Sequence, residues 1–124
     1  MIITRTPLRI SFTGGGTDLA EYYMINGGAV VSMAINKYIY ITVNRKFDRA
    51  IRVSYSSTEI VQEVSELHHD LVREAMRLAG ITGGIEVTSV ADIPSGTGLG
   101  SSSSFTVGVL NALFTYAGNR LSDK

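Results

Sequence analysis

The run SGTGLGSSSSF, Ser95 to Phe105, sets three glycines two apart ahead of four consecutive serines. A stretch so nearly bare of side chains is either a slack linker or a place where backbone must lie against something, and its flanks decide. Linkers have polar flanks and join segments of unrelated period. Upstream, GIEVTSVADI alternates, with Ile85 and Val87 on one face, and closes at Pro94, which reads as a strand. Downstream, Phe105, Val109 and Leu113 share one helical stripe, with Leu110, Phe114 and Ala117 beside it, until Gly118-Asn119 ends a mostly buried helix. The run is therefore a strand-to-helix turn whose serines make the first helical turn. The first N–H groups of a helix lack partners, and the summed peptide dipoles leave about half a positive charge at that end. Glycine lets amides approach a phosphoryl oxygen with no Cβ in the way, so the segment reads as a phosphate cradle. The serine hydroxyls can cap the helix, bond phosphate or ligate magnesium, and the residues leave that choice open.

Two familiar phosphate loops are tested directly. A Walker-type loop needs Gly-Lys-Ser or Gly-Lys-Thr, and no lysine lies between Lys46 and Lys124. The dinucleotide fingerprint G-x-G-x-x-G is missed, because Gly96, Gly98 and Gly100 give G-x-G-x-G with Ser101 at the third glycine's place, which argues against a Rossmann oxidoreductase. Without a lysine, such a loop must offset nucleotide charge by a metal ion and the helix dipole together.

Working outward, Ile2 to Thr13 reads as a strand, since Pro7 restricts itself and Thr6 to extended backbone. It enters the turn TGGGTD. LAEYYMIN makes two helical turns stopped by Asn26-Gly27-Gly28. AVVSMAI and KYIYITVNRK are two strands joined near Asn36-Lys37, and AIRVSY is a third with Arg49 and Arg52 as solvated charges. From Glu59 to Leu78 the apolar residues Val61, Val64, Leu67, Leu71, Met76 and Leu78 recur at roughly helical spacing, which predicts one amphipathic helix, broken near Ser65 and ended by Gly80. Adjacent histidines on a helix point about 100° apart, so His68 and His69 read as surface residues rather than a metal pair. The pairs Tyr22-Tyr23 and Tyr38, Tyr40 read as core packing.

A chain of 124 residues supports one core. Eleven basic and eleven acidic residues balance, so no overall field gathers nucleic acid or anionic lipid. With no cysteine, a disulfide framework and thiolate metal sites are excluded. No window approaches the length of an apolar membrane span and no leader pattern opens the chain, so the expected location is cytoplasmic.

Pro94-Ser95-Gly96-Thr97-Gly98-Leu99-Gly100-Ser101-Ser102-Ser103 resembles the second motif of the GHMP kinases, P-x-x-x-G-L-G-S-S-A/S, at every defined position. PLRISFTGGGTD, Pro7 to Asp18, resembles their first motif. Galactokinase-like members carry Gly-Glu-His-Thr-Asp where this chain has Gly14-Gly15-Gly16-Thr17-Asp18. The GGGTD form is similar to the branch of D-glycero-D-manno-heptose phosphate kinases and the kinase part of L-fucose kinases, as is HHDLVREAMRLAGI.

The resemblance implies an α+β fold of the GHMP kinase N-terminal type: a ribosomal-protein-like βαβ core, with a mixed sheet and helices packed on one face. Residues 1–124 would form this ATP-binding domain, incomplete, with the C-terminal GHMP domain absent. It implies ATP and Mg2+ as cofactors and ATP-dependent phosphorylation of a sugar hydroxyl, with a D-glycero-D-manno-heptose 7-phosphate as the foremost acceptor and L-fucose or galactose as alternatives. A nucleotide-binding module without turnover is the alternative of another class. Gly96, Thr97, Gly98, Leu99, Gly100, Ser101, Ser102 and Ser103 would hold the phosphates, with Ser102, then Ser101, as magnesium ligand. Arg9 would steady the reacting oxygen or the catalytic carboxylate, against the plainer reading of a surface strand residue. Gly14, Gly15, Gly16, Thr17 and Asp18 would meet the sugar, although Asp18 also reads as a helix cap with Glu21 three residues on. The family's catalytic aspartate is expected beyond Lys124, so the 124 residues alone are expected to be inactive or nearly so. Expected partners are the sugar or sugar phosphate and the C-terminal domain of the same chain. Homodimerisation is left open, and nucleic acid and membrane are not expected.

Overall fold

The computed structural model of the chain describes residues 1–94 and 96–119. Ser95, inside the glycine run, lies outside the described residues. Strand β1 (Ile2–Thr13) leads through a short 3-10 turn (Gly15–Thr17) into helix α1 (Ala20–Asn26). Then follow β2 (Val31–Arg45), β3 (Ile51–Ser54), β4 (Thr58–Val61), a second 3-10 turn (Val64–Glu66), α2 (Asp70–Leu78), β5 (Ile85–Ala91) and α3 (Ser101–Tyr116). The strands form one sheet in the order β1-β2-β5-β3-β4, antiparallel except for β3 beside β5. That parallel pair, joined through β4 and α2, is the βαβ element expected from the resemblance.

Alternation decides which face is covered. Ile39, Ile41 and Val43 of β2, Ile51 and Val53 of β3, and Ile85 and Val87 of β5 are almost wholly buried. Against them pack Val72 and Met76 of α2 and Val109 and Leu113 of α3. Helices thus cover one face of a mixed sheet, as expected. On α3, Gly108 gives the closest approach: a Cβ there would lie 2.9 Å from Thr6 Oγ1 and 3.2 Å from Ile41 Cγ1, and Thr4 Oγ1 donates to the Gly108 carbonyl at 2.9 Å.

Three expectations are corrected. Asn36-Lys37 is no turn, because β2 runs unbroken from Val31 to Arg45. The ladder jumps instead, from Pro7 opposite Tyr38 to Arg9 opposite Ala34, so three residues of β2 bulge against the buried Leu8. Proline has no N–H to give the ladder, and a bulge absorbs that loss. The helix expected from Glu59 is a strand, a single 3-10 turn and then α2: Val61 in the strand, Val64 in the 3-10 turn and Leu67 in extended backbone ahead of α2 mimic a helical stripe. A reciprocal capping box between Glu63 and Glu66 closes the 3-10 turn. Tyr38 and Tyr40 are not core residues. They lie on the face opposite Ile39 and Ile41, half-buried, with ring centres 6.1 Å apart and the Arg5 guanidinium 4.6 Å from the Tyr38 ring.

Helix α1 has no buried residue, and Tyr22, Tyr23, Met24 and Ile25 are all exposed on it. Among the described residues no helix is long and apolar enough to cross a membrane.

Candidate active site

The turn between β5 and α3 takes the geometry its glycines suggest. Gly96, Gly98 and Gly100 have φ of 83°, 73° and 67°, the left-handed region that side chains disfavour, and Gly100 is the N-cap of α3. A Cβ at Gly96 or Gly98 would meet nothing within 4 Å, so these two glycines serve the backbone path and leave their outer side open. Among the described residues, none of the N–H groups from Gly98 to Ser103 donates a hydrogen bond outside its own helix. The hydroxyls of Ser101, Ser102 and Ser103 have no partner there either. Ser104 differs: it is buried and donates to the Pro7 carbonyl at 2.9 Å, fastening the start of α3 to β1. Thr97 is spent locally on the Pro94 carbonyl at 3.3 Å.

Arg9 lies against this turn. Its N–H donates to the Leu99 carbonyl at 3.2 Å, and its Cγ and Nε lie 3.2 Å from where a Gly100 Cβ would sit. Its Nη1 donates to Ser11 Oγ at 2.6 Å. The picture of a free surface arginine on a strand does not hold, because both backbone and side chain are fixed beside the helix N-terminus.

Beneath the turn opens a cavity of about 670 Å³, within the range usual for small-molecule sites. Gly96, Ser101 and Ser102 form its polar rim, and Ile39, Leu71 and Ile93 are among its apolar walls. Tyr55, His69 and Phe105 also line it. His69 is thus not the surface residue expected: it is partly buried, with ring contacts to both Tyr55 and Phe105. His68 is exposed, as expected. No Asp or Glu lines this cavity among the described residues.

Gly14 to Asp18 occupy the far end of β1, beyond Arg9 by five residues of strand, or roughly 16 Å at its first residue. Gly14 has φ 86°, and a Cβ there would fall 1.9 Å from the Ala29 carbonyl oxygen, so no other residue fits. Thr17 Oγ1 donates to the Gly14 carbonyl at 2.7 Å and accepts from the Ala29 N–H at 3.2 Å, which staples this turn to the second glycine turn. Gly15 and Gly16 have open space around them. The cap expected of Asp18 is not made. Leu19 is the N-cap of α1, without a side-chain bond, and Glu21 merely lies in the first turn. Asp18 is exposed beside a concavity of about 340 Å³ shared with Tyr23 and Gly28. Arg9 and the glycine turn are therefore brought together, while Asp18 lines a separate hollow.

Sequence reasoning missed Tyr55, His69 and Ser104. Ser104 had a legible signal, a fourth serine one helical turn after the N-cap. Tyr55 and His69 had none, since their meeting depends on β4, which was read as helix.

A magnesium ion fits this donor set in part. No cluster of three or more His, Cys, Asp or Glu able to hold a metal occurs among the described residues; magnesium is commonly bound by one or two carboxylates together with substrate phosphates and water, and this rim offers hydroxyl oxygens without a carboxylate among the described residues. Ser101 and Ser102 supply uncommitted oxygens at the cavity rim.

Comparisons with known proteins agree with this fold. Residues 64–124 match the model of the GHMP kinases N terminal domain. The chain is 30% identical to an L-fucokinase/L-fucose-1-P guanylyltransferase of Bacteroides fragilis, covering 92% of this chain and 16% of that protein. It is also 30% identical to a D-glycero-alpha-D-manno-heptose 7-phosphate kinase of Campylobacter jejuni, covering 90% of this chain and 36% of that one. A crystal structure of a D-glycero-D-manno-heptose 1-phosphate kinase from Bacteroides thetaiotaomicron superposes with a TM-score of 0.86 at 27% identity, over 99% of this chain and 44% of the other. The chain thus spans less than half the length of these relatives. Fold and glycine-serine turn agree with the family-model match, and residues 64–124 belong to the GHMP kinases N terminal domain family.

Proposed function

We propose that the intact protein is a sugar kinase that transfers the γ-phosphoryl group of ATP to a sugar hydroxyl, with the anomeric hydroxyl of a D-glycero-D-manno-heptose 7-phosphate as the foremost acceptor. The observation that carries this reading is the apolar cavity ending on amides and serine hydroxyls at the start of α3 that have no partner among the described residues. Phosphoryl transfer asks a protein mainly for positioning and charge stabilisation. The amides from Gly98 to Ser103 would hold the phosphate oxygens, and Arg9, fixed beside Gly100, would face the reacting end. Magnesium, held by Ser102 or Ser101 with the phosphates, would offset their charge. Asp18 and the open backbone of Gly15 and Gly16 would meet the sugar.

By the family resemblance, the group accepting the sugar's proton would come from another part of the intact protein. The uncovered apolar surface of α1 is a natural seat for the C-terminal domain. The 124 residues by themselves would then bind nucleotide without turnover. L-fucose is the second acceptor, favoured by the Bacteroides fragilis relative.

The test is ADP release by the full-length protein with heptose 7-phosphate, heptose 1-phosphate, L-fucose and galactose in turn. The reading expects release with one of these, magnesium-dependent and at least about tenfold slower in Ser102→Ala or Ser101→Ala. Saturable ATP binding with no release on any sugar would favour a non-catalytic nucleotide module.

A further inference from the structure

One wall of the cavity is aromatic. The Tyr55 ring stands edge-on to His69, with centroids 4.7 Å apart and planes at 89°, and His69 stacks on Phe105 at 5.0 Å and 22°. Phe105 lies one helical turn beyond Ser101 and Ser102. Base stacking and phosphate holding would therefore be set by adjacent turns of one helix. A flat, polarisable ring is the ligand shape that such a wall over Ile39 and Ile93 accepts.

Neither Tyr55 nor His69 is fixed by this stack alone. Glu59 of β4, which does not line the cavity, holds both. Its Oε1 accepts from the Tyr55 hydroxyl at 2.9 Å and from the His69 N–H at 3.2 Å, and its Oε2 accepts from the His68 N–H at 2.6 Å. One carboxylate thus ties the loop after β3 to the N-terminus of α2, at the point where both feed the stack. Bonds to a charged acceptor are shorter and stronger than neutral ones, so the grip is directional.

We infer that Glu59 is a positioning residue for the nucleobase: it touches no ligand, and by gripping Tyr55 and His69 it sets the aromatic wall on which the base of the nucleotide lies. The inference rests on the nucleotide reading above and adds a base-positioning device to it. Glu59 acts on the base and not on the phosphates, which are held about one turn away by backbone.

The experiment is calorimetric titration of the full-length protein with magnesium ATP and, separately, with magnesium tripolyphosphate, which has phosphates and no base. In Glu59→Gln and in Tyr55→Phe, which keeps the ring and loses the bond, ATP affinity falls about two- to tenfold, while tripolyphosphate affinity stays within about twofold. His69→Ala weakens ATP by roughly five- to a hundredfold, the span of aromatic–base stacking, and His69→Phe restores most of it. Should Glu59→Gln fail to fold, Tyr55→Phe and the His69 pair carry the test. Parallel losses for both ligands, or unchanged ATP affinity in these variants, overturn the inference. If the unaltered protein binds tripolyphosphate as tightly as ATP, the inference fails while the phosphate turn stands. If it binds neither, the nucleotide reading fails and takes the inference with it.

Discussion

Replacing Gly100 by alanine tests the geometry of the turn more sharply than removing any side chain. At φ 67° an L-residue costs about 1–2 kcal/mol. The new methyl would also lie 3.2 Å from both Cγ and Nε of Arg9, a distance the neighbour must relieve by moving. Arg9 is not free to swing, since its amide is bonded to Leu99 and its Nη1 to Ser11. Breaking the Ser11 bond adds about 0.5–1.5 kcal/mol, so the total loss is about 1.5–3.5 kcal/mol. For a domain of this size each kcal/mol shifts the melting midpoint by about 3–6 °C, which makes a fall of roughly 5–21 °C, read by circular dichroism without ligand. Gly98 is the internal control. It has a similar φ of 73° but nothing within 4 Å of its missing Cβ, so Gly98→Ala incurs the backbone strain alone. If Gly98→Ala is as damaging as Gly100→Ala, Arg9 does not lie against the turn. If both melt with the unaltered protein, the turn is not left-handed and the cradle argument fails.

Gly108→Ala is expected to destabilise by about 1–3 kcal/mol through crowding, although in an open helix the same change stabilises by about 1 kcal/mol; a raised melting midpoint would mean that α3 does not touch Thr6 and Ile41. Glu59 gives a pH signature. Burial is the largest single influence and pushes its carboxyl up, but the bonds from the His68 amide, the Tyr55 hydroxyl and the His69 amide outweigh it and leave it below its ordinary value. Its contribution is therefore present above the unfolded value of about 4.3 and disappears as pH falls through the lower folded value. The melting difference between the unaltered protein and Glu59→Gln should be greatest at neutral pH and shrink below about pH 4; a difference constant with pH refutes this. Asp18→Asn should raise the KM for the sugar acceptor about ten- to a hundredfold, the value of a bond to a charged group, with ATP affinity unchanged, and an equal loss for both ligands would remove Asp18 from the acceptor site.

The elements nearest the candidate site were the most legible in the sequence. β1, α1, β5 and α3 each have one period and a clear stop, such as Pro94 before the turn or Gly118 after α3, and the motif residues sit between them. Legibility failed where one pattern fits two conformations. Val61, Val64 and Leu67 are three apart, which a helix explains, but the strand pairing of β4 with β3 and the Glu63–Glu66 capping box win locally. That single misreading hid Glu59 and with it the positions of Tyr55 and His69. Asn36-Lys37 failed for another reason: a turn signal was absorbed by a bulge whose cause, Pro7, lies on the neighbouring strand. Tyr38 and Tyr40 alternate as a strand requires, but alternation does not say which face the helices will cover.

The central claim is that backbone amides at the start of α3 receive nucleotide phosphate. Amide chemical shifts followed while magnesium ATP is titrated into the protein test it most directly. The account predicts saturable shifts, largest from Gly98 to Ser103 and extending to Phe105 and His69. Saturable binding that leaves those amides unmoved and instead perturbs the opposite pole, around Arg45 to Arg49, would contradict it.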